Sequence, residues 1–189
     1  ALPIWNLLAS AVASTFRLGF DPADRWLVAL SPCHMGGISP VVRMPLYGMG
    51  VVLRPAFDAD RVAADVREWD VSCVSLVPTM LRRLLDAGAG ETLADGLRVV
   101  LLGGAPATDD LLDRAFGHDL PVFPTYGMTE TASQIATARP DEAAAHRGTV
   151  GRPLLWTDLS VRDEDGDRVE VGETGELVVD GPTVTPGYF

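Results

Sequence analysis

The chain has 189 residues, 47% of them hydrophobic and 22% charged, enough for one substantial core or for one domain plus part of another. Its formal net charge is −11, and all 15 basic residues are arginine. Charge of that sign and size repels phosphate backbones and anionic lipid, so no nucleic-acid or membrane partner is expected, and no apolar run reaches the roughly 20 residues that span a bilayer.

The lack of lysine has a chemical consequence. Any step that needs a primary ammonium must draw it from outside this chain. Residues 1–8 are apolar but have neither a basic flank nor a cleavage site, so no signal peptide is expected and a cytoplasmic location follows by default. Cys33 and Cys73 fit no CxxC spacing and are expected to be two buried thiols in a reducing compartment.

In chain order, residues 26–30 read as a strand followed by the turn-forming Ser31-Pro32. Residues 36–47 have helical character despite Pro40 and Pro45, and residues 51–53 form a short strand. Asp58 is placed to cap a helix, with Phe57 and Val62 spaced as a hydrophobic staple and Val62, Val66 and Trp69 at helical intervals. Residues 73–77 are an apolar strand. Pro78 suits the first turn of the next helix, Leu81, Leu84 and Leu85 supply its buried face, and Gly88 ends it. Residues 97–102 (LRVVLL) are the clearest buried strand. Thr108 can cap a helix running to about Phe116, and residues 121–123 begin another strand. Strand–helix alternation of this kind predicts an α/β fold with a mainly parallel sheet flanked by helices.

The character changes near Arg139-Pro140, which divides the chain into residues 1–140, an α/β subdomain, and residues 141–189, a connector with the start of a small β-rich subdomain. Residues 141–145 read as a polar connector and residues 148–153 (GTVGRP) as a loop. Residues 159–162 and 168–171 are expected to pair across the Asp165-Gly166 turn, with a further strand at residues 176–179.

Two segments concentrate chemistry. LLGGAP (residues 101–106) ends a buried strand in two glycines, where a planar ligand can approach the backbone. Asp109 and Asp110 already occupy the start of the following helix, so this loop suits a base or an acyl group better than a triphosphate. An ordinary tight turn is the plain alternative. TYGMTETAS (residues 125–133) brings together an aromatic ring (Tyr126), a hydroxyl (Thr129) and a carboxylate (Glu130), which could stack on a base, bond a phosphate and hold Mg²⁺. A strand-to-loop corner with a solvated glutamate is its plain alternative. The acidic run at residues 163–167 places no ligand correctly for a calcium loop and reads as a hairpin tip. Ser31 and His34 lack the G-x-S-x-G elbow of a nucleophile.

YGMTE in this setting resembles the central signature of the adenylate-forming superfamily, which includes acyl-CoA synthetases, luciferases and peptide-synthetase adenylation domains. LSPCHMGG (residues 30–37), LLGGAP, GTVGRP and GETGELVVDGPTVTPGYF (residues 172–189) resemble its other segments, in the same order. The resemblance implies that Gly103, Gly104 and Ala105 line the adenine and acyl side, and that Thr125, Tyr126, Gly127, Met128 and Thr129 bind nucleotide. It further implies that Thr129 and Glu130 are catalytic, with Glu130 the magnesium ligand. His34, Gly36 and Gly37 would face the acyl substrate, although His34 also has a structural reading as a half-buried histidine. His118 and His146 match nothing.

Within that superfamily, SLVPTMLRRLL (residues 75–85) and the compact HMGG segment are most similar to the 2-succinylbenzoate–CoA ligases of menaquinone biosynthesis. The implied reaction consumes ATP with Mg²⁺, activates a small carboxylic acid and transfers it to CoA. The superfamily's lysine-bearing phosphate loop is expected before this sequence. Its ribose-binding aspartate, hinge and lysine-bearing C-terminal domain are expected after it. The chain therefore reads as an internal piece of such a ligase, inactive alone. Another aryl- or acyl-CoA ligase, or a non-catalytic binding module, is the alternative.

Overall fold

The computed structural model describes residues 3–188. Ala1 and Leu2, which begin the opening apolar run, and Phe189, which ends the GYF motif, lie outside the described residues.

The parallel sheet follows from apolar runs that must be covered on both faces. β1 (Arg25–Val28), β2 (Gly50–Leu53), β3 (Cys73–Leu76), β4 (Val99–Leu102) and β5 (Val122–Met128) lie side by side in the order β2-β1-β3-β4-β5, every adjacent pair parallel. Side chains alternate between faces along a strand. Leu27, Val74, Leu76, Val100, Leu102 and Val122 therefore join one core, while Trp26, Val28, Cys73, Val99, Leu101 and Phe123 join another.

The first core is covered by four helices, α3 (Ala59–Glu68), α4 (Pro78–Asp86), α5 (Gly90–Gly96) and α6 (Asp109–Gly117), through residues such as Val66, Leu84, Leu93 and Leu111. The second is covered by Leu18 of α1 (Ile4–Leu18) and Tyr47 of α2 (Met35–Tyr47). Each fully buried leucine contributes roughly 1.5–3 kcal/mol. The local signals behave as their chemistry requires. Asp58 accepts from the Arg61 amide and Thr108 from the Leu111 amide, each capping its helix. Pro78 opens α4, where its missing N–H costs nothing.

The helix expected at residues 36–47 forms, whereas several other expectations need correction. Residues 36–47 are helical with both prolines inside, and the Ser39 hydroxyl donates to the Met35 carbonyl at 2.5 Å beside the break that Pro40 makes in the hydrogen-bond ladder. Helix α5, bounded by glycines, had no clear periodic signature. The strand at residues 121–123 continues through YGM as β5, because β6 (Ser133–Thr137) folds back on it antiparallel through the 3-10 turn Thr129–Thr131. Residues 141–145 are not a connector but most of a short helix, α7 (Pro140–Ala145).

β7 (Arg152–Pro153), from the expected loop, then pairs with β6 and completes a seven-stranded sheet. Residue 140 therefore does not mark the end of the large sheet. The small second sheet consists of β8 (Asp158–Arg162) and β9 (Glu176–Asp180), antiparallel. Residues 168–171 do not form the expected strand. They make one isolated bridge, Arg162 to Arg168, and then a turn in which the Glu173 amide donates to the Glu170 carbonyl. Val169 is partly buried but Val171 is fully exposed, so the apolar alternation of this segment finds no cover beyond the bridge.

Both cysteines are free, but only Cys73 is buried; Cys33 is exposed, on the turn between β1 and α2. Burial pushes the Cys73 thiol up to about 11, so it stays protonated and inert at neutral pH. Among the described residues no helix is long and apolar enough to cross a membrane.

Candidate active site

Four parallel strands deliver their carboxyl ends to the same edge of the sheet, where ligands of open α/β sheets gather. The turn after β1 brings Leu30, Ser31 and His34; the end of β3 brings Ser75, Leu76 and Val77. The turn after β4 brings Gly103 and Gly104, and the end of β5 brings Thr125, Gly127 and Met128, followed by Thr129. With Met35, Gly36, Leu101, Ser133 and Gln134 they enclose a cavity of about 460 Å³. The three segments singled out in the sequence, HMGG, LGGAP and TYGMTE, thus share one space although residues 34 and 129 are far apart in the chain.

The glycine loop and the YGMTE strand are in direct contact. A methyl at Gly103 would stand 2.8 Å from Thr125 Cγ2. Gly104 has φ +80°, a left-handed turn that glycine adopts without strain. The Thr125 hydroxyl is engaged with the Ala136 carbonyl and the Thr137 hydroxyl, both at 2.8 Å, so it braces the strand pair. Thr129 is exposed at the cavity wall, in the 3-10 turn that Thr131 ties down through its bonds to Met128 and Ser133. Ala132 and Ser133 both have positive φ, at 54° and 110°, which is costly for non-glycine residues and is held here by that buried threonine.

Other expected residues sit beside the cavity rather than in its wall. The Tyr126 ring is partly exposed, and Ala105 is exposed just beyond Gly104. Glu130 follows Thr129 at the rim. One carboxylate oxygen, Oε1, accepts from the Tyr188 hydroxyl at 2.8 Å. The backbone amide of Glu130 and that hydroxyl hold the carboxyl below its usual range, so it is ionised at neutral pH. Among the described residues no three carboxylate, histidine or cysteine groups cluster as a metal cage. A single ionised carboxylate fits Mg²⁺, which is commonly held by one or two carboxylates together with substrate phosphates and water.

His34 is exposed and lines the cavity at the start of α2; its backbone carbonyl accepts from the amides of Gly37 and Ile38. Among the described residues its imidazole has no hydrogen-bond partner, and its exposure departs from the reading of a partly buried structural histidine. Gly36 lines the cavity, but Gly37 does not. It is buried, and a methyl there would overlap the Ser31 carbonyl, so Gly37 lets the helix approach the turn rather than opening space for a ligand.

Gly127 is constrained the same way. It lies at a β-bulge between β5 and β6, and a methyl would overlap the Ser133 carbonyl oxygen. Gly127→Ala is expected to destabilise the protein by about 1–3 kcal/mol, because neither backbone can move away without breaking the ladder. A denaturant melt showing unchanged stability would contradict this packing role.

Sequence reasoning missed Ser75, Ser133 and Gln134. Ser75 stands out only by being polar in an otherwise apolar strand; it accepts from the Trp26 indole at 3.0 Å. Gln134 follows the recognised motif directly and is 2% exposed, a large polar group at the cavity floor.

The AMP-binding enzyme family matches residues 2–189. The chain belongs to that family. It is 42% identical over 184 residues to the 2-succinylbenzoate–CoA ligase of Bacillus licheniformis, covering 97% of this chain and 38% of that protein. Among solved structures, o-succinylbenzoate coenzyme A synthetase from Bacillus subtilis in complex with ATP and magnesium ion superposes with a TM-score of 0.93 at 38% identity, covering 100% of this chain and 39% of the other. The same enzyme in complex with the acyl-adenylate intermediate OSB-AMP also gives 0.93 at 38% identity, covering 100% and 38%. The chain thus spans about two-fifths of the length of these relatives.

Proposed function

We propose that this chain is the central part of an ATP-dependent acid–CoA ligase whose acid is 2-succinylbenzoate, acting in the cytoplasm in menaquinone biosynthesis. The observation that carries the reading is the convergence of HMGG, LGGAP and TYGMTE on one cavity, in a family member 42% identical to a ligase of that name.

In this reading the acid's carboxylate attacks the α-phosphorus of ATP and pyrophosphate leaves; the CoA thiol then displaces AMP from the acyl carbon. Gly103, Gly104 and Ala105 let the adenine lie against the backbone, with Tyr126 on its flank. The Thr129 hydroxyl donates to the α-phosphate, where negative charge develops. Glu130 holds Mg²⁺ against the phosphates, and the ion supplies charge neutralisation there. His34 and Gly36 meet the acyl group. The ammonium groups such chemistry uses come from outside this lysine-free chain.

The test is thioester formation by the full-length protein that carries this chain, using a panel of acids. Expected are ATP- and CoA-dependent conversion of 2-succinylbenzoate and weak use of benzoate or fatty acids. A clear preference for another acid would replace the substrate while keeping the reaction class. No conversion of any acid would leave a binding module.

His34→Ala in the same protein is expected to raise the apparent KM for the acid roughly ten- to a hundredfold while leaving that for ATP unchanged, the effect of losing a charge-assisted hydrogen bond. A lowered melting temperature with unchanged acid kinetics would assign His34 to structure alone.

A further inference from the structure

The segment that follows β9, residues 181–188, is tied to two distant parts of the chain. Asn6, near the start of α1 and 6% exposed, donates through Nδ2 to the Pro182 carbonyl at 2.7 Å and to the Val184 carbonyl at 2.9 Å. Carbonyl oxygens only accept, so the amide nitrogen must face them, which fixes the orientation of Asn6. The Val184 amide closes a turn onto the Gly181 carbonyl at 3.0 Å, and the Thr185 amide donates to the Glu130 carbonyl at 2.7 Å. Residues 182–185 thus bridge α1 and the 3-10 turn that carries Thr129 and Glu130. Gly187 then has φ +130°, with open space where a Cβ would stand, so backbone conformation rather than crowding calls for glycine there.

Tyr188 follows at the rim, where its hydroxyl donates to Glu130 Oε1 at 2.8 Å. The tyrosine is 72% exposed, so this bond competes with water and adds little to folding. Its chemistry suits orientation instead. A tyrosine hydroxyl is a neutral donor at pH 7, so it fixes one carboxylate oxygen and leaves the negative charge whole. An arginine in the same place would neutralise that charge and compete with a cation. Among the described residues none of the 15 arginines pairs with Glu130, and Tyr188 is the single side chain that bonds its carboxylate.

We propose that Tyr188 is a positioning residue for the metal: its hydroxyl holds Glu130 Oε1 so that the other oxygen, Oε2, is presented to Mg²⁺. The anchored segment at residues 182–185 sets where that hydroxyl stands. The inference rests on Glu130 holding Mg²⁺ in the proposed function.

The experiment compares wild type, Tyr188→Phe, Glu130→Gln and the double variant in the full-length protein carrying this chain. Calorimetric affinities for α,β-methylene ATP are measured with Mg²⁺ and with EDTA in its place, together with melting temperatures without ligand. Phenylalanine removes the hydroxyl and nothing else. It should weaken binding with Mg²⁺ roughly three- to tenfold, the size of one net hydrogen bond, while binding in EDTA and the melting temperature stay unchanged. In the Glu130→Gln background the same substitution should change binding by less than about twofold, because a residue acting through Glu130 then has no charge to position. Wild-type affinity of Tyr188→Phe with Mg²⁺, equal losses with Mg²⁺ and EDTA, or the same loss in both backgrounds would overturn the proposal. If Glu130→Gln itself keeps wild-type affinity with Mg²⁺, the magnesium role of Glu130 fails and the proposal fails with it. Loss in Glu130→Gln with none in Tyr188→Phe overturns the positioning role alone, so the two failures are distinguishable.

Discussion

Glu130→Gln, made in the full-length protein, is expected to slow adenylation by roughly 10²–10³ while acid binding stays near normal. Glutamine preserves the shape of the side chain, and its carbonyl can still accept the Tyr188 hydroxyl that holds Oε1 of the wild-type residue. What it removes is the negative charge, which the backbone amide and Tyr188 keep ionised. The loss should therefore appear where magnesium and phosphate charge matter, in acid-dependent ATP–pyrophosphate exchange. Calorimetric affinity for the acid, measured on the same preparation, supplies the control. Near-normal exchange at saturating magnesium would remove Glu130 from the metal role.

Asp65→Ala is expected to destabilise the protein by about 3 kcal/mol at pH 7, the low end for breaking a buried ion pair because both arginine partners keep some access to water. Asp65 on α3 is fully buried. It receives Arg54 Nε and Nη2, each at 2.6 Å, and lies 2.8 Å from Arg61 Nη2. Arg54 follows edge strand β2, so the bidentate pair ties that edge to the helix over the first core. The Arg54 hydrogen bonds, more than any other influence, hold the Asp65 carboxyl below the usual aspartate value. A folded-state pKa below the unfolded one gives stability that is complete above about pH 3.9 and is lost as pH falls through the folded value. The gap between wild type and Asp65→Ala should therefore narrow in urea melts as the pH is lowered from 7 to 3. A gap independent of pH would show that packing, not charge, is what Asp65 supplies.

Where one residue's neighbours lie close in sequence, the chain was legible. Residues 97–102 read as the clearest buried strand, and Val99–Leu102 forms one. Asp58, Pro78 and Thr108 marked helix starts by chemistry that involves the next three residues. YGMTE, LGGAP and HMGG marked a candidate site through their resemblance to a known family, and the cavity at the sheet's carboxyl edge brings Gly103, Gly104, Thr125, Gly127, Thr129, His34 and Gly36 together. Gly37, read as ligand space, turned out to be a contact between helix and turn, since a glycine looks the same in sequence whether it makes room for substrate or for backbone.

Composition and local pattern by themselves determined the α/β class, most of the strand and helix starts and the lack of any lysine, but did not point to Ser75, Ser133 or Gln134 in the cavity wall. Only the tertiary structure decided that β5 runs through YGM, that Arg152–Pro153 joins the large sheet and that β8 pairs with β9 instead of residues 168–171. Those outcomes depend on pairing between distant segments, and a strand's partner is chosen by which faces can be buried once the rest has packed.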